Sequence, residues 1–213
     1  MKRVKKQFSI IIPTHNGASH GLDVALHSIT SQCYDRDKYE IIVICDKCSD
    51  NTAEVSREFA DKVVEVNHGN AGLTRNEGLE RAEGEWILFM DDDDQWIGKY
   101  VLQTLDRYAK MDDFDVLAFG FVFGHLGVRF PFDNRGFLFP NVWTKMWKRE
   151  FIGDTRFRNV YPNDDEMFCV DMGKKKPRFR ISECILYDYN YMRPGSIQDV
   201  ERKKNADKSR ETV

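Results

Sequence analysis

The stretch WILFMDDDD occupies residues 86–94 and joins five apolar residues directly to four aspartates. A short, continuous apolar run of this kind is typical of a strand that is buried on both faces of a parallel sheet. Open parallel sheets bind their ligands beyond the carboxyl ends of the strands. The acidic run therefore lies where a ligand is expected. A solvated aspartate-rich turn before a helix is the structural alternative.

Four adjacent carboxylates repel one another strongly unless a positive charge lies among them. A hard divalent cation takes oxygen ligands and commonly holds the phosphates of a substrate as well. The run Asp91-Asp92-Asp93-Asp94 accordingly predicts a cation site and a ligand that carries a di- or triphosphate group.

Further apolar runs alternate with helical patterns along the first half of the chain. The runs predict strands at residues 8–12, 41–44, 63–66 and 86–90, with helices between them and at 101–108. This alternation predicts an α/β fold with a Rossmann-like, mostly parallel sheet and helices on both faces. The second half predicts a small α+β part, with strands at 115–124, 128–132 and 180–191 and short helices at 143–151 and 164–172.

The composition is that of a folded globular chain of 213 residues, with 41% hydrophobic and 31% charged residues. A formal net charge of −3 gives no support to nucleic-acid binding, which normally needs a basic excess. No apolar run approaches the roughly 20 residues of a membrane span. Five cysteines without disulfide-like spacing fit a reducing compartment. We therefore expect a soluble, cytoplasmic protein without a transmembrane segment; peripheral contact with the inner face of the membrane stays open.

Cys45 and Cys48 form a lone C-x-x-C pattern. A redox pair and half of a zinc site are the functional alternatives, but a zinc site normally needs a second pair of ligands. We interpret the two residues as thiols at the end of a strand.

Polar side chains follow three of the predicted strands. Thr14, His15 and Asn16 follow the first, Asp46 follows the second, and the acidic run follows the fourth. Because parallel strands bring their carboxyl ends to one edge of the sheet, we expect these groups to form one site.

The segment FSIIIPTHN at residues 8–16 resembles the opening of family 2 glycosyltransferases with the GT-A fold. The resemblance continues in order to about residue 197, through EIIVI (40–44) with Asp46, NAGLTRNEGL (70–79), GEWILFM (84–90), KMWKR (145–149), DDEMF (164–168) and YMRPGS (191–196). The last segment is similar to one in the bacterial polysaccharide branch. The resemblance implies a single GT-A domain over residues 1–213, with a nucleotide-sugar-binding half at 8–96, an acceptor-side half at 97–197 and a charged tail at 198–213.

The resemblance also implies donor contacts at the strand ends. Pro13 and His15 would lie against the base and ribose, and Asp46 would accept a hydrogen bond from the N3–H of uracil. Arg75 would face the nucleotide or its phosphates. The alternative for Arg75 is a surface ion pair with Glu77 or Asp91. The alternative for His15 is an ordinary loop histidine without a ligand contact.

In the same family pattern, Asp91 and Asp93 form a D-x-D motif. Asp93 would be the direct ligand of Mn²⁺ or Mg²⁺, with Asp91 beside it, and Asp91 and Asp92 would also contact the nucleotide.

The resemblance makes Asp165 the catalytic base and Asp164 the acidic residue before it. The acceptor hydroxyl must lose its proton as it attacks, so a carboxylate must lie within hydrogen-bond reach of it. One base and direct attack from the opposite face predict an inverting single displacement. A helix N-cap is the alternative for both residues, and it is compatible with catalysis.

The implied enzyme moves a hexosyl or N-acetylhexosaminyl group from a nucleotide-sugar, with a UDP-sugar favoured. The acceptor hydroxyl belongs to a glycan, a lipid-linked molecule or another compound in surface polysaccharide or glycan synthesis. A nucleotidyltransferase is one alternative, but PTHNG at residues 13–17 is not a glycine-rich phosphate loop. A non-catalytic module that binds nucleotide or metal is the other, and it would need no base.

Overall fold

The computed structural model describes residues 5–111, 113–130 and 140–190. The strands are β1 Phe8–Thr14, β2 Tyr39–Asp46, β3 Lys62–Val66, β4 Trp86–Phe89, β5 Gln95–Trp96, β6 Val116–Phe123, β7 Val128–Arg129, β8 Lys145–Lys148 and β9 Phe179–Tyr189. The α-helices are α1 Leu22–Thr30, α2 Thr52–Arg57, α3 Ala71–Arg81, α4 Val101–Ala109, α5 Arg149–Ile152 and α6 Asp164–Lys174.

One mixed sheet runs through these residues in the order β3-β2-β1-β4-β8-β6-β9-β5, with β7 paired to β6. The first four strands are parallel, and Ile10 lies beside Ile41 on one side and Leu88 on the other. The following β4–β8 and β8–β6 pairs are antiparallel, and β6 is parallel to β9. The parallel half therefore places the ends of β1, β2 and β4 at one edge, as the apolar runs predicted.

The core lies on both faces of the sheet because successive strand residues point to opposite sides. On one face, Ile10 and Leu88 pack with Leu26 of α1 and Leu105 of α4. On the other face, the cluster includes Ile11, Ile87, Leu79 of α3 and Phe168 of α6. Helices thus cover both faces, and the predicted α/β architecture is confirmed.

The predicted helix over residues 143–151 is wrong. Residues Val142–Thr144 form a 3-10 turn, β8 follows at Lys145–Lys148, and only Arg149–Ile152 is helical. Met146 joins the cluster on one face of the sheet and Trp147 joins the opposite one. Burial between β4 and β6 thus outweighs a weak helical preference.

Other second-half predictions hold, with changes in detail. The strands expected over 180–191 form the single strand β9, and α6 covers the helix expected at 164–172. β7 returns beside β6 in antiparallel register, whereas residues 131–132 of that prediction lie outside the described ranges. The YMRPGS segment and the charged tail also lie outside them. Among the described helices, none combines the length and apolarity needed to cross a bilayer.

Two helical glycines provide a stability test of the packing between α3 and β1. A Cβ added at Gly78 would lie 2.3 Å from Cγ2 of the fully buried Ile11, whereas one added at the exposed Gly173 would have no described atom within 4 Å. We expect Gly78→Ala to lower the free energy of unfolding by about 1–3 kcal/mol, because the helix must move or Ile11 must leave its rotamer. Gly173→Ala should raise it by about 0.5–1 kcal/mol. Urea denaturation measures both, and equal stability of the two variants would contradict the packing.

Candidate active site

A buried arginine lies at the centre of the polar edge. Arg75 of α3 is 5% exposed. Its Nη2 lies 2.8 Å from Asp91 Oδ1, and its Nη1 lies 2.8 Å from Asp164 Oδ2 and 3.1 Å from Asp165 Oδ1. One guanidinium thus joins α3, the residues after β4 and the first turn of α6.

Two residues at the start of α3 allow Arg75 to contact the acids of α6. Asn70 caps the helix, its Oδ1 accepting a hydrogen bond from the amide of Leu73 at 2.9 Å. Gly72 lies against α6, where a Cβ would come within 2.9 Å of Asp164 Cβ. The glycine allows the two helices to approach closely enough for Arg75 to reach both acids of α6.

Burial and charge act in opposite directions on Arg75. Burial lowers the pKa of Arg75, but Asp165, Asp91 and Asp164 together raise it above its ordinary value. The guanidinium therefore stays charged. It also lies over the ring of Phe157, 5.6 Å from the ring centre. The surface ion pair considered from the sequence is replaced by a buried network, although Asp91 is one of the partners in it.

The aspartates after β4 have different surroundings. Asp92 accepts a hydrogen bond from the Thr14 hydroxyl of β1. Asp94 is 2% exposed and accepts hydrogen bonds from the Tyr187 hydroxyl at 2.6 Å and the Asn190 amide at 2.8 Å. Asp94 therefore fastens the end of β9 to the acidic run.

Burial and neighbouring charges shift the pKa values of two of these carboxyl groups. Burial, with further contributions from Asp165 and Asp93, raises the pKa of Asp91 to about 7, even though Arg75 opposes the shift. Burial likewise raises the pKa of Asp94 well above its usual range. Arg75 therefore offsets only part of the cost of burying these carboxyl groups.

The donor chemistry of the acidic run fits a hard divalent cation that is shared with a ligand. The described residues contain no group of three or more His, Cys, Asp or Glu side chains arranged to hold a metal by themselves. Asp91 and Asp93 offer carboxylate oxygens in a region of excess negative charge, and Mg²⁺-type sites commonly use one or two carboxylates plus substrate phosphates. The residues fit such a shared site and do not form an all-protein cage.

The first turn of α6 presents Asp165 in an oriented position. Its Oδ2 accepts a hydrogen bond from the Val142 amide at 3.1 Å. Its Oδ1 is buried near Arg75 and accepts no hydrogen bond from the described residues. Asp164, the neighbouring acid, is 8% exposed, and burial raises its pKa despite the opposing charge of Arg75. The helix cap position itself belongs to Asn163.

The end of β1 lies beside the end of β2. Pro13 is buried within β1, and His15 is exposed just after it. The His15 Nδ1 lies 2.8 Å from the carbonyl oxygen of Asp46, so that nitrogen carries the proton and donates. Asn16 continues the edge, its Oδ1 accepting from the Ser49 amide at 2.8 Å.

Asp46 is 6% exposed, and both its carboxylate oxygens accept hydrogen bonds from within the protein. The donors are the amides of His68, Gly69 and Asn70 and the hydroxyl of Thr74, at 2.7–3.1 Å. Although burial opposes the shift, these hydrogen bonds lower the pKa of Asp46. The side chain thus holds the loop before α3, and its contact with uracil stays a prediction.

Burial raises the pKa of Cys45 to about 12, which keeps this residue a thiol at neutral pH. Cys45 packs in the core beneath the sheet edge, and Cys48 lies close to Thr14 and Asn16.

A cavity of about 340 Å³ borders the acidic run. It shares Asp93 and Asp94 with that run, so a molecule in the cavity would lie against these carboxylates. Its other polar side chains are those of His20, Gln95, His125, Asp188, Tyr189 and Asn190.

The structure brings together Arg75, Asp91, Asp164 and Asp165 in direct contact. His15 contacts the Asp46 carbonyl, and Pro13 lies in β1 beside Ile44 of β2. Sequence reasoning did not find Tyr187 or Val142, because a tyrosine in a late strand and a backbone amide carry no local signal of their role.

These features define an α/β architecture of the GT-A type, with an acidic site at the ends of parallel strands. The chain belongs to glycosyl transferase family 2, whose profile matches residues 9–179.

Two relatives illustrate the range of similarity. The chain is 32% identical over 117 residues to the poly(ribitol-phosphate) beta-N-acetylglucosaminyltransferase TarS of Staphylococcus aureus, which covers 52% of this chain and 20% of TarS. It is 32% identical over an alignment of 236 residues to the uncharacterized glycosyltransferase YibD of Escherichia coli K12, covering 96% of this chain and 67% of YibD. The aligned part of this chain thus spans about a fifth of the length of TarS.

Solved structures share the fold at low sequence identity. A crystal structure of S. aureus TarS residues 1–349 in complex with UDP-GlcNAc superposes with a TM-score of 0.78 at 24% identity, over 89% of this chain and 60% of that one. The mannosyltransferase PcManGT from Pyrobaculum calidifontis, in complex with GDP-Man and Mn²⁺, gives a TM-score of 0.69 at 19% identity, over 90% of this chain and 59% of that one.

Two arginines of α3 test the role of burial in the central network. Arg75→Met leaves the carboxylates of Asp91, Asp164 and Asp165 without their shared cation, and we expect a loss of about 3–5 kcal/mol in the free energy of unfolding at neutral pH. Arg81→Met removes a partly exposed ion pair with Glu77 on the same helix and should cost less than about 1 kcal/mol. Chemical denaturation compares the variants, and similar small losses would contradict a central role for Arg75.

Proposed function

We propose that this chain is an inverting glycosyltransferase that moves a sugar from a nucleotide-sugar, a UDP-sugar above all, to an acceptor hydroxyl. The observation that carries the proposal is the contact of Arg75 with both Asp91 after β4 and Asp165 of α6. Through it, the acidic strand end and a carboxylate suited to act as a base lie at one site. Family membership over residues 9–179 supports the reaction class.

The donor nucleotide is proposed to lie across the ends of β1 and β2. Pro13 and His15 would contact the base and ribose, with Asp46 close to the uracil ring. The UDP-GlcNAc bound by TarS supports a uridine donor. Residues 8–96 would form this donor half.

The diphosphate is proposed to lie beside Arg75, Asp91 and Asp92. Mn²⁺ or Mg²⁺, when bound, would be held by Asp93 and Asp91 and would neutralise charge on the leaving diphosphate. The Mn²⁺ of PcManGT supports a divalent ion in this fold. The excess negative charge around Asp91 gives an independent reason to expect a cation.

The acceptor is proposed to enter from the side of residues 97–197. Asp165 would take the proton of the attacking hydroxyl, while the Val142 amide and Arg75 hold its carboxylate in place. Direct attack opposite the leaving diphosphate would invert the anomeric centre. Acceptors of the glycan or polysaccharide type are supported by the named activity of TarS, and a lipid-linked hydroxyl fits the same chemistry. A cytoplasmic location stays a prediction.

Metal-dependent donor binding is the first functional test. Calorimetry should show UDP binding that strengthens when Mn²⁺ is added, because the cation bridges the carboxylates and the diphosphate. Asp93→Ala should weaken the Mn²⁺-dependent part of the binding at least about tenfold, which corresponds to about 1.4 kcal/mol. Asp37→Ala, in the exposed turn before β2, should bind UDP as the wild type does. Equal UDP affinity with Mn²⁺ and with chelator would contradict the metal site.

The role of Asp165 is the second functional test. Asp165→Asn keeps the shape of the side chain but cannot accept a proton, so turnover should fall by about 10² or more. UDP affinity with Mn²⁺ should stay nearly unchanged. Glu166→Gln, at the exposed residue next to Asp165, is the matched control and should keep the turnover of the wild type.

Product analysis completes this test. The anomeric configuration of the product, measured by NMR, should be opposite to that of the donor. A folded Asp165→Asn enzyme with normal turnover, or a product with the donor's configuration, would overturn the mechanism.

A further inference from the structure

Lys145 is a buried cation at the start of β8, 2% exposed. Its Nζ donates hydrogen bonds to the carbonyl oxygen of Asn141 at 2.7 Å and to Thr144 Oγ1 at 3.1 Å. Burial lowers the pKa of Lys145, and the neighbouring Cys169 and Asp165 oppose that shift. Burying an ammonium costs free energy, and Lys145 is not among the residues proposed above to bind the donor, hold the metal or take the proton.

The segment that Lys145 holds is also attached to α6. The Cys169 thiol donates to the carbonyl oxygen of Pro140 at 2.9 Å, and the Val142 amide donates to Asp165 Oδ2 at 3.1 Å. Asp165 and Cys169 are four residues apart on the helix and therefore share one face. That face of α6 lies against residues 140–145.

One peptide group connects the lysine to the carboxylate of Asp165. The carbonyl that accepts from Lys145 belongs to Asn141, and the amide that donates to Asp165 belongs to Val142. These two groups are parts of the same planar unit. The Thr144 hydroxyl donates to the same carbonyl at 3.0 Å. The ammonium and this hydroxyl therefore fix the orientation of that plane, and the charge of the ammonium polarises the carbonyl and strengthens the amide as a donor.

We infer that Lys145 is a positioning residue for Asp165 and acts through the Asn141–Val142 peptide group. The inference rests on the proposed function, in which Asp165 is the base. Lys145 does not contact the reactants; it holds the amide that orients one carboxylate oxygen. Charged and titratable groups that act on Asp165 or its neighbours are Arg75 of α3, Asp91 after β4, Asp164, Glu166 and Cys169 of α6, and Lys145 of β8.

Replacement of the lysine by methionine tests the inference. Lys145→Met keeps the length of the side chain but removes the ammonium. We expect kcat to fall by about ten- to a hundredfold, because the base is no longer held in the productive orientation, with the KM of the donor and the affinity for UDP with Mn²⁺ within about twofold. The acid-side limb of the kcat profile should move to higher pH, because the site loses the positive charge of Lys145.

A lysine elsewhere on α6 provides the control. Lys174 pairs with Asp171 and is 65% exposed, and Lys174→Met should leave kcat and the pH profile unchanged. A loss of stability alone would lower the amount of active enzyme without moving the limb.

Val142 provides a second route that does not depend on folding of the lysine variant. Asn141 has φ −68° and ψ 126°, which suits a residue before proline. Proline can begin the 3-10 turn because its φ is fixed near −65°, and it has no amide hydrogen to donate. Val142→Pro should lower kcat and move the acid limb in the same direction as Lys145→Met. Val142→Ala loses similar packing but keeps the amide hydrogen. The acid-side limb of its kcat profile should therefore stay at the pH of the wild type.

Hydrogen exchange separates this inference from the proposed reaction. Exchange of the Val142 amide should be faster by about tenfold in Lys145→Met than in wild type, whether or not a sugar is transferred, because a net hydrogen bond weakens. Unchanged exchange at Val142, or an unmoved limb with kcat within twofold in folded Lys145→Met and Val142→Pro, would overturn the role of Lys145. Absence of any transfer by the wild type, with Val142 exchange altered as expected, would instead contradict the proposed function alone.

Discussion

The buried guanidinium of Arg75 is the interaction on which the site depends. It satisfies carboxylates from two regions far apart in sequence, after β4 and at the start of α6. Removing a buried charge from a network leaves its partners uncompensated, so position and stability are coupled here. The cap at Asn70 and the close approach at Gly72 matter because they set where the guanidinium ends up.

This edge of the sheet carries more acidic than basic side chains. Arg75 faces three carboxylates. Burial raises the pKa of Asp91, and the charges of Asp165 and Asp93 add to that shift although Arg75 opposes it. A packed protein interior does not keep such an imbalance without cost. The cation proposed to bind at Asp91 and Asp93 would reduce this imbalance, because it adds positive charge among the carboxylates.

Many acidic groups of the site also hold the structure together. Asp46 anchors the loop before α3, and Asp94 holds the end of β9 through Tyr187. Asp92 links the acidic run to Thr14 of β1. Residue type and position in a motif are therefore not sufficient to separate ligand contacts from structural ones, and the hydrogen-bond partners decide between these roles.

Local sequence determined the first four strands and the helices around them, because continuous apolar runs and 3.6-residue periodicity are properties of short segments. It also located the acidic run at a strand end and, through the family resemblance, singled out Asp165. Tertiary structure decided that residues 145–148 form a strand, since Met146 and Trp147 are buried on opposite faces between β4 and β6. Only the tertiary structure shows that Arg75 is buried among three carboxylates and that backbone amides donate hydrogen bonds to Asp46. It also shows that one peptide group lies between Lys145 and Asp165. The physical reason is that these contacts join residues far apart in sequence, and their energies depend on burial and orientation, which exist only after the chain has folded.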